Sequence, residues 1–141
     1  MSGPGDVIEV SAVVLRSPRG EVLTVRKRGT SRFMLPGGKP EPGETPAQTA
    51  VRECAEEVGV HLDPARLHAL GVFTDAAANE PGRHVRGTVY LHPADQVPVP
   101  AGEIAELRWL DPSADPLPDD LAPMLELQVL PALLTVRGSA G

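Results

Sequence analysis

Apolar residues along the chain fall into short runs separated by turn residues, with one stretch of clear helical periodicity. Val7–Leu15 is rich in Val and Ile and reads as a strand. Ser17-Pro18-Arg19-Gly20 has turn chemistry, and Glu21–Arg28 reads as the second arm of a hairpin. Phe33-Met34-Leu35 is a short apolar piece that runs into Pro36-Gly37-Gly38. Further strands are expected over Leu67–Thr74, Arg83–Leu91 and Ile104–Leu110, with loops over Asp75–Gly82 and His92–Gly102. Asp111–Pro118 is a connector, and a last helix is expected over about Asp120–Leu134. Pro123 fits its first turn, and Pro131 is expected to bend or end it. Residues 1–6 read as a short flexible tail. The order β-β-α-β-β-β-α predicts an α/β fold, a mixed sheet with helices packed on it.

The helix over Pro46–Val58 is the best marked element. Thr45 at N-cap, Pro46 at N1 and Gln48 at N3 make a capping box, and Gly59 supplies the stop. On a helical wheel Ala47, Ala50, Val51, Cys54, Ala55 and Val58 fall to one side, and Arg52, Glu53, Glu56 and Glu57 to the other. Glu53, Glu56 and Glu57 are related by i, i+3 and i+4, so their carboxylates share about one turn. Such neighbours repel by a few tenths of a kcal/mol per pair, which Arg52, four residues before Glu56, partly offsets. A solvated acidic face with one salt bridge accounts for the helix alone.

It does not account for the segment before it. Gly37-Gly38-Lys39-Pro40-Glu41-Pro42-Gly43-Glu44 has three glycines and two prolines, and it places a further carboxylate, Glu44, just before the helix cap. Such a loop can turn sharply and bring backbone carbonyls and Glu44 over the glutamates. Clustered carboxylates and a carbonyl form an oxygen-only site, which selects hard cations such as Mg²⁺ or Mn²⁺. Mg²⁺ held by few carboxylates usually completes its shell with water and substrate phosphates. The pattern therefore points to a divalent-metal enzyme acting on phosphates.

Composition narrows the partners. The chain has 141 residues, the size of one domain (1–141, core about 7–134), enough to bury a core without disulfides or zinc. A single cysteine, Cys54, excludes an internal disulfide. Thirteen basic against nineteen acidic residues give a net charge of −6, which argues against nucleic-acid polymers and anionic membranes. Residues 38–60 hold five acids and two bases, so −3 of that charge sits around the glutamates. A bound divalent cation there turns an acidic surface into a polyphosphate site. MSGPGDVIEV has no basic region and no apolar segment of signal-peptide length, and the longest apolar run, Val129–Leu134, is far too short to span a bilayer. The expected setting is cytoplasmic.

Gly38, then Glu44, then Arg52-Glu53-Cys54-Ala55-Glu56-Glu57-Val58-Gly59-Val60 resembles the Nudix box, G-x5-E-x7-R-E-U-x-E-E-x-G-U, where U is a bulky aliphatic residue. Every charged position and both glycines fit over Gly38–Val60. Cys54 departs from the aliphatic pattern, but it lies on the apolar face, where a thiol acts as a small hydrophobe. Phe33–Gly38 resembles the family's aromatic-x-Leu-Pro-Gly-Gly approach to the box, and Glu103–Leu110 its late acidic loop and Trp-bearing strand.

The resemblance implies a MutT-like Nudix hydrolase with an α/β/α sandwich, a mixed β-sheet between helices. It implies Mg²⁺ or Mn²⁺ held by Glu53, Glu56, Glu57 and a backbone carbonyl at Gly37 or Gly38. Glu53 is then a ligand, a general base, or both; Glu44 supports the site, and Arg52 holds the carboxylates. In some branches a further glutamate outside the box contributes, and here Glu103 and Glu106 both qualify. The implied substrate is a nucleoside diphosphate linked to another group. Markers for ADP-ribose, dinucleoside polyphosphates, NADH and coenzyme A are missing, so nucleoside triphosphates, oxidised ones included, are the default. ADP-ribose or a nucleotide sugar is the alternative. A nucleotide-sensing Nudix domain without catalysis is the non-enzymatic reading, though such domains usually carry an eroded box. A homodimer is expected from family habit alone. Candidate substrate contacts are Arg28, with Arg26 on the same face of its strand, Phe33 as a stacking ring, and Asn79 in a loop. Each has a plainer reading as solvated charge, core ring or turn residue.

Overall fold

Alternation along the first strand sorts the core into two layers. The computed structural model describes residues 7–140, with side chains through residue 135. Residues 1–6, expected as a tail, lie outside the described residues. Strand β1 spans Val7–Arg16. Val13 and Leu15 point to one face, where they join Cys54 and Val58 of helix α1 (Pro46–Val58). Ala12 and Val14 point to the other, where they meet Leu125, Val129, Leu130 and Leu133 of the C-terminal helical segment. The sheet lies between helices, an α/β/α sandwich, as the resemblance to the Nudix family implies.

Strands β2 (Val22–Lys27), β3 (Gly37–Gly38), β4 (His68–Ala76), β5 (His84–Pro93) and β6 (Ile104–Leu110) complete the sheet. Its order is β4-β5-β1-β2-β6, with β3 pairing β1 off that path. The β1–β5 pair is parallel and the rest are antiparallel, so the sheet is mixed.

The expected β1–β2 hairpin closes at its turn, where Arg16 faces Val22. Beyond that point residues 34–38 are inserted between the two strands. Val25 and Met34 exchange backbone hydrogen bonds on the β2 side, while Val13 N–H donates to the Pro36 carbonyl on the β1 side. Gly37 and Gly38 then continue along β1. This wedge carries the glycines under α1.

Helix α1 has the predicted ends. Thr45 Oγ1 accepts from Gln48 N–H at 3.2 Å, Gln48 Oε1 accepts from Thr45 N–H at 2.9 Å, and Gly59 closes the helix at φ 67°. The expected wheel needs one correction: Glu57 is only 6% exposed. It stands three residues after Cys54 and seven after Ala50, on the buried stripe rather than opposite it.

The C-terminal segment is also corrected. Helical residues begin at 123 and continue to 140, so Pro131 does not end the helix. The turn before it, Leu125–Val129, is π-helical, and Leu130 N–H donates to the Leu125 carbonyl five residues back. The wider turn relieves the clash a proline ring makes with the carbonyl four residues earlier. Helix α2 then runs over Leu130–Ala140.

Candidate functional site

The two wedge glycines are required by close approach. A side chain at Gly37 would overlap the Ser11 carbonyl on β1, and one at Gly38 would lie 2.5 Å from the Glu53 carboxyl carbon. Gly37 N–H donates to Glu57 Oε1 at 3.0 Å. Backbone thus presses on the carboxylates of α1 with no side chain between.

Arg52 organises the other acids. Its Nε donates to Glu44 Oε2 at 2.7 Å and its Nη2 to Glu44 Oε1 at 2.9 Å. Nη1 reaches Glu53 at 3.1 Å and Glu56 at 3.3 Å, and Nη2 also donates to the Lys39 carbonyl at 2.9 Å. Glu41 lies 3.3 Å from Nε. Glu44 also accepts from Thr49 Oγ1 at 2.8 Å and from Glu41 N–H at 2.9 Å. The Arg52 guanidinium, helped by these donors, holds the Glu44 carboxyl down to about 2. Arg52 itself is held firmly protonated, chiefly by Glu44.

Glu57 is the box glutamate that Arg52 does not touch among the described residues. Burial pushes its carboxyl up to about 7, against the pull of the Gly37 N–H. Burial also raises Glu53, against its bond to Arg52. The neighbouring Cys54 thiol is pushed up to about 12 by burial, consistent with a packing role.

A cleft of about 420 Å³ opens beside this cluster. One end is lined by Gly37, Gly38, Glu53, Glu57 and Glu103, with Lys27 and Lys39 beside them. The other is lined mainly by apolar residues, among them Ile8, Val10, Val85, Met124 and Leu125. Asn79 also lines it, from the loop after β4. Such a mix of apolar wall and a few convergent polar groups is typical of a small-molecule site.

The two outlying glutamates separate in the structure. Glu103 faces the cleft and its charge acts on Glu57. Glu106 pairs with Arg26 at 3.0 Å, across the β2–β6 ladder. The turn that carries Glu103 is anchored to α1 by Ala101 N–H donating to the Glu57 carbonyl at 2.9 Å.

Other expected contacts are placed differently. Arg28 donates to the Gly102 carbonyl at 2.9 Å and is not among the cleft-lining residues. Phe33 is only 3% exposed, and the Arg108 guanidinium stands 3.8 Å over its ring, so that ring is packed rather than offered for stacking. Glu44, Arg52 and Glu56 are not among the cleft-lining residues, and Glu56 is exposed. Sequence reasoning passed over Lys27 in favour of its arginine neighbours. The signal was the parity it shares with Leu23 and Val25, which face α1.

The oxygen-only chemistry of Glu53, Glu57 and the Gly38 carbonyl suits a hard divalent cation. A buried, raised carboxylate at Glu57 is what such an ion would stabilise. Among the described residues no three Asp, Glu, His or Cys side chains converge closely enough to ligate one ion. Arg52 Nη1 takes one oxygen of Glu53, Oε2, and lies 3.3 and 3.4 Å from the two oxygens of Glu56.

The NUDIX domain family model matches residues 7–128, and the chain belongs to that family. It is 36% identical over 111 residues to a Mycobacterium tuberculosis protein named "Putative 8-oxo-dGTP diphosphatase 3", covering 71% of this chain and 50% of that relative. The chain therefore spans half the length of that curated relative. A MutT-like protein of Streptomyces ambofaciens is 29% identical over 136 residues, covering 94% and 80% of the two chains. Among solved structures, the E. coli ORF135 protein superposes with a TM-score of 0.73 at 25% identity, covering 98% and 97%. Among the described residues no helix is long and apolar enough to cross a membrane.

Proposed function

We propose that this protein hydrolyses a phosphoanhydride bond of nucleoside triphosphates, oxidised ones included, in a reaction that uses Mg²⁺ or Mn²⁺. The observation that carries this reading is the single cleft joining a carboxylate-lined end to an apolar end. The phosphates belong at the first and the base at the second. The name of the mycobacterial relative supports the oxidised purine as a substrate to test first.

Glu53, Glu56, Glu57 and the Gly38 carbonyl are the groups that would hold the cation. When bound it supplies charge neutralisation and Lewis acidity at the phosphates. The chain's own residues do the rest. Lys27 and Lys39 offer ammonium groups to phosphate oxygens at the mouth of the acidic end. Glu53, partly desolvated, takes the proton of the attacking water as its oxygen bonds to phosphorus and the P–O bond to the leaving phosphate breaks. Glu103, beside Glu57, is the outlying glutamate placed to assist. Glu44 and Arg52 are positioning residues, fixing the backbone of the loop and the rotamers of Glu53 and Glu56. Asn79 presents its amide to the base.

The test is a release assay for phosphate and pyrophosphate with and without Mg²⁺. It compares nucleoside triphosphates, 8-oxo-dGTP, ADP-ribose, nucleotide sugars and dinucleoside polyphosphates. Metal-dependent turnover of the triphosphates above the other classes is expected. Turnover confined to ADP-ribose or nucleotide sugars would move the substrate assignment, and saturable nucleotide binding with no turnover would favour a sensor.

A further inference from the structure

The apolar end of the cleft is floored by two neighbouring parallel strands. Ile8 of β1 lies opposite Val85 of β5, and Val10 lies opposite Gly87. Ile8, Val10 and Val85 line the cleft, while Gly87 between them does not. What covers Gly87 is Met124. A methyl group at position 87 would lie 2.9 Å from Met124 Cε and 3.0 Å from its Sδ. The tip of Met124 therefore occupies the notch that a missing side chain leaves in the sheet. Gly87 is not among the positive-φ glycines, so its backbone does not demand glycine; the space above it does.

Met124 itself is half-buried, lines the cleft on its other side, and stands immediately before the π-helical turn. A side chain at 87 meets that tip first and then Val10 Cγ2 at 3.4 Å, so the group that must give way is one that lines the cleft. The methionine's unbranched thioether is a flexible side-chain end of the kind that can shift to make that room.

We propose that Met124, seated over Gly87, sets the depth of the apolar end and thereby the size of the base the cleft accepts. The inference rests on the nucleotide reading above and adds the pair that gauges the base. With the tip in the notch the cleft admits a purine. With the tip displaced, the same cleft favours the smaller pyrimidine ring.

The test compares kcat/KM for purine and pyrimidine nucleoside triphosphates in wild type, Gly87→Ala, Met124→Ala and the double variant. The purine-to-pyrimidine ratio should fall about tenfold in Gly87→Ala, the scale at which a pocket discriminates a methylene or two. Adding Met124→Ala should restore it, because the tip that was pushed inward is gone. Met124→Phe, which fills the cleft from the wall and leaves Gly87 intact, should lower the ratio too. Calorimetric binding of purine and pyrimidine nucleoside 5′-monophosphates should follow the same order without any turnover. A ratio unchanged in Gly87→Ala and Met124→Phe, or a double variant as low as Gly87→Ala alone, would overturn the proposal. A wild type that binds the monophosphates in this pattern but hydrolyses no nucleotide would sink the hydrolase reading and leave the gauge standing.

Discussion

The two ends of the cleft are built in opposite ways. The acidic end comes largely from one stretch, residues 37–57, folded back on itself around Arg52. Its parts are joined by short charge-assisted bonds on a capped helix. The apolar end is assembled from β1, β5, the loop after β4 and the segment before the π-helical turn. Its strands are joined by the parallel β1–β5 ladder, and its remaining parts come from segments distant in sequence, with Gln128 Nε2 donating to Asp75 Oδ2 at 3.0 Å nearby. On the proposed reading, chemistry falls to the end built from one local stretch, and recognition to the end where distant segments meet.

Substitutions at the two ends should separate into two kinds of effect. The largest should come from Glu53→Gln and Glu57→Gln, each lowering kcat by about 10²–10⁴-fold with base preference unchanged. Circular dichroism on both variants would check that the fold is intact. Arg52→Ala should follow, at about 10–100-fold, since it acts through the glutamates it holds. Arg52→Lys should rescue little of this, because an ammonium cannot span Glu44, Glu53 and the Lys39 carbonyl together.

A pH effect comes next. In the metal-free protein Glu57 titrates at about 7, above its ordinary value. Between the two values the folded state keeps a proton that the unfolded chain has lost. This contribution to stability is present in acid and is lost as pH rises through about 7. Its size is a few kcal/mol at most. Glu57→Gln should therefore raise the melting temperature at pH 8 in the presence of a chelator and change it little at pH 5. Metal affinity should run the other way, rising through pH 7 as the carboxylate is freed. The smallest effect should come from Gln128→Ala, which releases Asp75 and costs ~1 kcal/mol of stability, read as a small drop in melting temperature. It should leave metal affinity as it was.

The same contrast explains what was legible in the sequence. Thr45, Gln48 and Gly59 are local signals, and each caps α1 as expected. The order of the elements along the chain follows from alternation and turn residues. The wedge of residues 34–38 between β1 and β2 was hidden because it depends on a non-local pairing that no short pattern encodes. Glu57 looked exposed because a charged residue on a wheel is assigned to water, although its spacing from Ala50 and Cys54 places it on the buried stripe. Pro131 was expected to bend or end the helix because a proline disrupts α-helical bonding; it does not end it, and the π-helical turn that accommodates it has no sequence mark. Phe33 and Arg28 were candidates by residue type. Their actual partners, Arg108 and the Gly102 carbonyl, are more than seventy residues away.

The central claim is that the carboxylates pressed under Gly37 and Gly38 bind a divalent cation, with Glu57 at its centre. Calorimetric titration of Mn²⁺ into wild type and Glu57→Gln at pH 8, without nucleotide, tests it most directly. A saturable site is expected in wild type, weakened by at least about tenfold in the variant. Equal affinity in the two proteins, or no saturable site in wild type, would contradict it.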